Sequence, residues 1–132
     1  MKDQGHFIQR YRRAILIACV GAWVVEMIAT HIPAPRAPHL HVSDKALHAI
    51  AYFLLGGLFW LTLRAYGMGR WKRTLYVLVT LTVYAALDEL TQELVTGRHA
   101  AVGDWLADMV GLVAAVMLAE LVAAIFTSKA RA

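Results

Sequence analysis

Residues 103–126 read GDWLADMVGLVAAVMLAELVAAIF, and this stretch decides the fold class. A helix needs about 20 mostly apolar residues to cross roughly 30 Å of hydrocarbon, and this segment is long enough. It shows neither the alternation of a half-buried strand nor the single apolar stripe of a surface helix. The stretch therefore predicts a transmembrane helix, with polar side chains concentrated at its beginning.

Three further segments of the same kind precede it. Across the whole chain 60% of the residues are hydrophobic and only 17% are charged, which exceeds the apolar share of an ordinary soluble domain. Prolines after the first segment, and glycines after the second and third, are typical of helix ends. The segments lie at about 14–32, 45–65 and 74–95. We predict a single all-α domain over residues 1–132, an integral membrane bundle of four transmembrane helices.

The basic residues predict the orientation of this bundle. Short cytoplasmic loops carry an excess of Lys and Arg. With both termini in the cytoplasm, ten of the 13 basic residues fall on the cytoplasmic side and three, Arg36, Lys45 and Arg98, on the external side. The first segment shows no small-x-small cleavage pattern, so we expect it to be a retained span rather than a signal peptide.

Cysteine usage and charge distribution exclude several classes of function. The single cysteine, Cys19, cannot form a disulfide framework or a cysteine-based zinc site within one chain. The net charge is +4, but the basic residues lie in short clusters beside apolar blocks rather than among aromatic residues. Anionic lipid headgroups are therefore the expected partner, and nucleic acid is not. Phosphate-binding loops, nucleophile elbows and dinucleotide fingerprints do not occur, and no organic cofactor is predicted.

Ionisable and other polar residues are concentrated at the helix ends that this orientation places outside. An Asp or Lys side chain costs about 2.5 to 3.5 kcal/mol at the centre of a span, so such groups usually face the bundle interior or a wet cavity. Side chains four residues apart share one helix face. The set comprises Asp44, His48 and Tyr52 on the second span; Asp88, Glu89 and Gln92 on the third; Arg98 in a loop; and Asp104 and Asp108 on the fourth. We expect these groups to meet, with Glu26 joining them, whereas Glu120 would pair with a basic residue at the cytoplasmic end.

Three motifs follow one another along the chain: SDKALHAIAYFLLG at 43–56, DELTQELVTGR at 88–98 and Asp104-x-x-x-Asp108-x-x-Gly111. Together they resemble the VanZ-like family. Its members are small multi-spanning bacterial membrane proteins, and its founding member is associated with resistance to the glycopeptide teicoplanin. The resemblance implies a location in the bacterial inner membrane. The chain departs from the family pattern at two positions: Thr96 stands where many relatives have Pro, and Asp108 stands where many have Asn. Positions carried over from the family are Asp44, Lys45, His48, Tyr52, Gly56, Asp88, Glu89, Gln92, Gly97, Arg98, Asp104, Asp108 and Gly111.

The leading functional hypothesis is a cell-envelope protein that binds a lipid or cell-wall-precursor headgroup, or a glycopeptide, in a polar cavity open to the outer leaflet. Arg98 and Lys45 would meet a phosphate. Neutral or cationic groups would be recognised by the remaining polar side chains. The predicted ligand-binding residues are Asp44, Lys45, His48, Tyr52, Asp88, Glu89, Gln92, Arg98, Asp104 and Asp108.

Two hypotheses of other classes stay open. In an intramembrane enzyme acting on a lipid-linked phosphate or glycan, the candidate catalytic groups are His48, Asp88, Glu89, Asp104 and Asp108. A divalent cation could assist, with His48, Asp88, Asp104 and Asp108 as candidate ligands, although the spacing matches no recognised metal motif. Alternatively, the cluster is a structural clamp that serves assembly with a partner. The sequence does not indicate the oligomeric state.

Each singled-out residue also has an ordinary interpretation. His48 could simply be hydrogen-bonded to Asp44, and Arg98 could pin its turn by pairing with Asp104. The small residues Gly56, Gly57, Gly111 and Ala115 favour close helix packing over catalysis. His31, His39 and His41 favour a solvated loop over a transition-metal site.

Overall fold

The computed structural model describes residues 8–33 and 42–129, and side chains up to residue 126. Four helices account for most of this part of the chain: α1 (Arg12–Thr30), α2 (Asp44–Ala65), α3 (Arg70–Gln92) and α4 (Val102–Lys129). All four are long and apolar enough to cross a membrane, and no strand occurs in the described ranges. The predicted all-α class and the four spans are therefore confirmed.

Local chemistry sets the helix ends. The Ser43 side chain accepts a hydrogen bond from the backbone N–H of Ala46 at 3.3 Å and so caps α2. The third helix begins at Arg70, preceded by an extended Gly69, and ends at Gln92. It therefore starts and stops about a turn earlier than the expected 74–95. The earlier start adds a first turn of mostly basic residues, which the apolar pattern left outside the span.

The helices alternate in direction through the bundle. The polar end, as we call it, contains the C-termini of α1 and α3 and the N-termini of α2 and α4. The opposite, basic end contains Arg12, whose guanidinium lies 5.5 Å from the ring centroid of Tyr66 at the end of α2. The assignment of the basic end to the cytoplasm stays a prediction.

The contact between α2 and α4 is the most extensive in the bundle. A Cβ atom added to Gly111 would overlap the backbone oxygen of Ala49, and one added to Gly56 would lie 3.0 Å from Leu112. These glycines therefore permit the close approach that was predicted for them. Gly57 does not share this role, because a Cβ there would meet nothing within 4 Å.

A compact apolar core lies between α2, α3 and α4. Its buried members are Tyr52, Leu55, Trp60, Val77, Leu81, Ala85, Leu112 and Val116. Helix α1 is more peripheral and packs mainly on α2. Trp23 connects it to the core through edge contacts with Phe59 and Tyr84, with centroid distances of 5.5 and 5.1 Å.

Candidate functional site

The polar side chains predicted to meet do lie together at the polar end. His48, Asp88, Glu89, Gln92 and Asp108 are all buried there, although they come from three helices. Buried polar groups destabilise a protein unless they are hydrogen-bonded or paired. The partner of each side chain therefore indicates what the cluster can do.

At the centre of the cluster, His48 contacts Asp108. His48 Nδ1 lies 2.9 Å from Asp108 Oδ1, and the two side chains are 8% and 2% exposed. This pair replaces the expected hydrogen bond between His48 and Asp44. Glu89 lies beside the pair: one ligand atom from each of His48, Glu89 and Asp108 falls within 4.8 Å of the other two. We call these three residues the buried triad.

Glu89 is only half satisfied. Its Oε1 accepts a hydrogen bond from the backbone N–H of Ala101, which fixes the loop before α4 against the end of α3. Its Oε2 is buried and has no hydrogen-bond partner among the described residues. One carboxylate oxygen of the buried triad is thus available to another group.

The neighbouring carboxylate, Asp88, faces a different helix. Its oxygens accept hydrogen bonds from Thr30 Oγ1 at 3.2 Å and Gln92 Nε2 at 2.9 Å. His31 lies nearby, with Nδ1 3.7 Å from Asp88 Oδ1 and Nε2 3.1 Å from Thr91 Oγ1. Asp88 was predicted as a metal ligand together with His48. Within the described ranges, Glu89 and not Asp88 lies close enough to His48 and Asp108 to share an ion with them. His39 and His41 lie outside the described residues.

Two ion pairs form the rim of the cluster. Lys45 Nζ lies 3.0 Å from Asp104 Oδ1, and Arg98 Nη1 lies 3.9 Å from Asp44 Oδ2. Arg98 Nε also donates to the carbonyl oxygen of Ile32 at 3.3 Å. The expected pairing of Arg98 with Asp104 is not formed, because Lys45 on α2 lies closer to the start of α4. Asp44, His48 and Asp104 form a second close group, of which Asp44 is exposed.

A cavity of about 130 Å³ opens between α1, α2 and the loop that carries Arg98. We call it the headgroup cavity after the ligand predicted from the sequence, and its polar lining residues are Glu26, Thr30, Asp44, His48 and Arg98. Glu26 lines it as anticipated. Tyr84 donates a hydrogen bond to Glu26 Oε2 at 2.7 Å, whereas Oε1 is buried without a partner in the described part of the chain.

Tyr52 faces the core rather than a polar partner. It is 1% exposed, and its hydroxyl has no hydrogen-bond partner among residues that the structure describes. Two residues of the cluster were not predicted from the sequence: Tyr84, which contacts Glu26, and Thr30, which contacts Asp88. Spacing could have revealed both, because Tyr84 precedes Asp88 by four residues and Thr30 follows Glu26 by four.

A second polar cluster lies at the basic end. Glu120 accepts hydrogen bonds from Trp60 Nε1 at 2.9 Å, Arg70 Nε at 2.8 Å, Arg73 Nη2 at 3.2 Å and Thr74 Oγ1 at 2.8 Å. The expected pairing of Glu120 with a basic residue is therefore confirmed. The guanidinium of Arg73 also lies 4.2 Å from the centroid of the Trp60 ring.

Four apolar helices with buried ionisable groups from separate spans define a multi-pass α-helical membrane protein with an internal polar site. The family model described as VanZ/LLP1 matches residues 25–123, which is most of the chain. The chain therefore belongs to the VanZ/LLP1 family, in agreement with the resemblance of its motifs. No curated protein and no solved structure matches it.

Proposed function

We propose that this protein binds the polar headgroup of an envelope lipid or a lipid-linked cell-wall precursor in the headgroup cavity. The observation that supports the proposal best is a cavity at the helix ends whose lining carries both signs of charge. Arg98 provides a cation, and Glu26 and Asp44 provide carboxylates. Under the predicted orientation, this cavity would open towards the outer leaflet of the bacterial inner membrane.

The size of the cavity favours a headgroup fragment over a large ligand. Pockets for drug-sized molecules measure about 300 to 1,000 Å³. The headgroup cavity, at about 130 Å³, has room for a small headgroup fragment, such as a phosphate with a linked amine, but not for a whole glycan or glycopeptide. The remainder of such a ligand would lie outside the described bundle.

The charge balance favours a ligand that has both a phosphate and a primary amine. Arg98 is held by Asp44 only at 3.9 Å, so a phosphate oxygen can compete for its guanidinium. Glu26 Oε1, which has no partner among the residues that the structure describes, would accept a hydrogen bond from an ammonium group. Carboxylates outnumber Lys and Arg among the described residues of the polar end, although the whole chain has a net charge of +4. A purely anionic ligand would therefore fit less well.

Lipid binding to the purified protein tests this proposal. We expect native mass spectrometry to show preferential retention of phosphatidylethanolamine over two other lipids. Phosphatidylglycerol lacks the amine, and the quaternary ammonium of phosphatidylcholine has no N–H to donate in a hydrogen bond. A lipid-linked cell-wall precursor with a free amine, tested in parallel, distinguishes the two ligand sources.

Variants at the headgroup cavity provide the controls. Arg98→Ala should weaken retention about tenfold or more, since a hydrogen bond to a charged group contributes about 1.5 to 3 kcal/mol. Glu26→Gln should reduce the preference for the amine. Arg13→Ala removes the same side chain from an exposed position at the basic end and should change nothing. Equal retention of all lipids, or unchanged retention by Arg98→Ala, would contradict the proposal.

We further propose that headgroup binding is linked to the teicoplanin response implied by the family resemblance. In a bacterium that depends on this protein for tolerance, Arg98→Ala should lower the inhibitory concentration of teicoplanin, whereas Arg13→Ala should not. If the strain with Arg98→Ala kept wild-type tolerance at an equal protein level, headgroup binding would not be linked to resistance.

The buried pair of His48 and Asp108 favours an enzyme as the second candidate. A carboxylate 2.9 Å from one imidazole nitrogen orients the ring and leaves the other nitrogen to act as a general base. His48 also lines the headgroup cavity. This candidate predicts turnover of a lipid-linked phosphate by the purified protein, abolished in His48→Asn. Binding without turnover would favour the first proposal.

A further inference from the structure

We propose that the buried triad of His48, Glu89 and Asp108 binds a divalent transition-metal cation, with Zn²⁺ the best match to its donor atoms. This inference goes beyond headgroup binding, because the triad lies against the ends of α3 and α4, and only His48 also lines the headgroup cavity. Three helices each contribute one ligand, so the cation would join spans that are distant in sequence.

The spacing of the donor atoms fits a shared cation. When two ligand atoms each lie about 2.1 Å from the same metal ion, the two atoms lie roughly 3 Å from each other. His48 Nδ1 and Asp108 Oδ1 already lie 2.9 Å apart. One ligand atom of Glu89 lies within 4.8 Å of a ligand atom of each of these two residues, so the three side chains are close enough to hold one ion.

An independent observation points to a ligand at this position. Glu89 is 6% exposed, yet its Oε2 has no hydrogen-bond partner among the described residues. A buried carboxylate is strongly destabilised unless a charge or a hydrogen-bond donor compensates it. With a neutral imidazole, Glu89 and Asp108 carry two negative charges, which a divalent cation neutralises.

The donor types select the class of metal. An imidazole suits zinc and its transition-metal neighbours, whereas magnesium and calcium prefer sites made of oxygen alone. Three protein ligands leave at least one coordination position for water or for an oxygen of a bound headgroup. The other close group, Asp44, His48 and Asp104, is a weaker candidate because Arg98 and Lys45 already pair with its carboxylates.

Metal analysis of the wild-type protein is the primary test. The protein is purified in detergent with a tag that lacks histidine, stripped with a chelator and titrated with Zn²⁺, with Mg²⁺ as the competing ion. We expect about one Zn²⁺ per chain, no displacement by a hundredfold excess of Mg²⁺, and a Co²⁺ derivative with visible absorption bands. A monodisperse wild-type protein that binds no Zn²⁺ would overturn the inference.

Conservative variants locate the cation. Glu89→Gln keeps an acceptor for the Ala101 N–H, and Asp108→Asn keeps an acceptor for His48, so both preserve the local hydrogen bonds. Each should weaken Zn²⁺ binding at least tenfold. Glu93→Gln makes the same change at an exposed position just beyond α3 and should leave the affinity unchanged.

Two further outcomes would overturn the assignment. Zn²⁺ binding that survives in both triad variants would place the ion elsewhere. Binding that is lost in Asp44→Asn but retained in Glu89→Gln would place it in the other close group, which contains Asp44 and Asp104. Lipid retention measured in chelator tests headgroup binding separately. Failure of the metal site and failure of the headgroup proposal are therefore distinguishable.

Discussion

Adjacent residues on one helix have different roles at the end of α3. Successive side chains on an α-helix point about 100° apart, so Asp88 and Glu89 cannot face the same neighbour. Asp88 faces α1 and accepts hydrogen bonds from Thr30 and Gln92, whereas Glu89 lies beside His48 and Asp108. Asp88 therefore fixes α1 to the bundle, whereas Glu89 keeps one oxygen, Oε2, without a partner in the part of the chain that the structure describes.

Glu120 accepts hydrogen bonds from four described residues at the basic end. Its carboxylate contacts Arg73, which is only 7% exposed, together with Trp60, Arg70 and Thr74. Glu120→Gln removes the charge that compensates the buried guanidinium, and breaking a buried pair in this way costs about 3 kcal/mol. We expect a clearly lower melting temperature in detergent.

Glu93→Gln is the matched control for Glu120→Gln. Glu93 is exposed and accepts one hydrogen bond, from the backbone N–H of Ala100 at 3.2 Å. Its substitution should change the melting temperature little. If Glu120→Gln were as stable as this control, the cluster at the basic end would not stabilise the bundle.

At the level of the helices, the crossing of α2 and α4 depends on one missing side chain. The backbone of Ala49 occupies the space that a Cβ of Gly111 would need. Gly111→Ala must therefore force the two helices apart, and overpacking of a tight core costs about 1 to 3 kcal/mol. We expect reduced thermal stability and a lower yield of monodisperse protein. The same separation would widen the distance between His48 and Asp108, since these residues flank the crossing.

Gly57→Ala provides the control for this prediction. A Cβ at Gly57 meets nothing within 4 Å, and alanine is the better helix former in a helix interior. We expect wild-type or slightly higher stability. Equal behaviour of the two alanine variants would show that the close crossing at Gly111 does not limit stability.

For the whole molecule, the predicted orientation places the two clusters on opposite sides of the membrane. His99 is an exposed residue next to Arg98 at the polar end, and Trp71 is 83% exposed near the start of α3. In a Cys19→Ala background, His99→Cys should react with an impermeant maleimide in intact cells. Trp71→Cys should react only after permeabilisation. The reverse pattern would show that the polar end faces the cytoplasm and would exclude access from the outer leaflet.

The polar end could be predicted from the sequence because it depends on local periodicity. The four-residue spacing from Asp44 to His48, and from Asp104 to Asp108, places each pair on one helix face, and alternating helices bring their ends to one side. The ion-pair partners could not be predicted in the same way. Arg98 pairs with Asp44 and Lys45 with Asp104, and both choices depend on how far apart the helix ends lie.

The sequence by itself determined the four membrane spans and the end of the bundle at which the ionisable groups gather. Hydrophobic length and helical period are properties of each segment alone. Only the tertiary structure decided that Glu89 rather than Asp88 joins His48, and that a carboxylate oxygen of Glu89 has no partner among the described residues. These features depend on the rotation and close crossing of helices that are distant in the chain, because side-chain pairing requires atoms within a few ångströms.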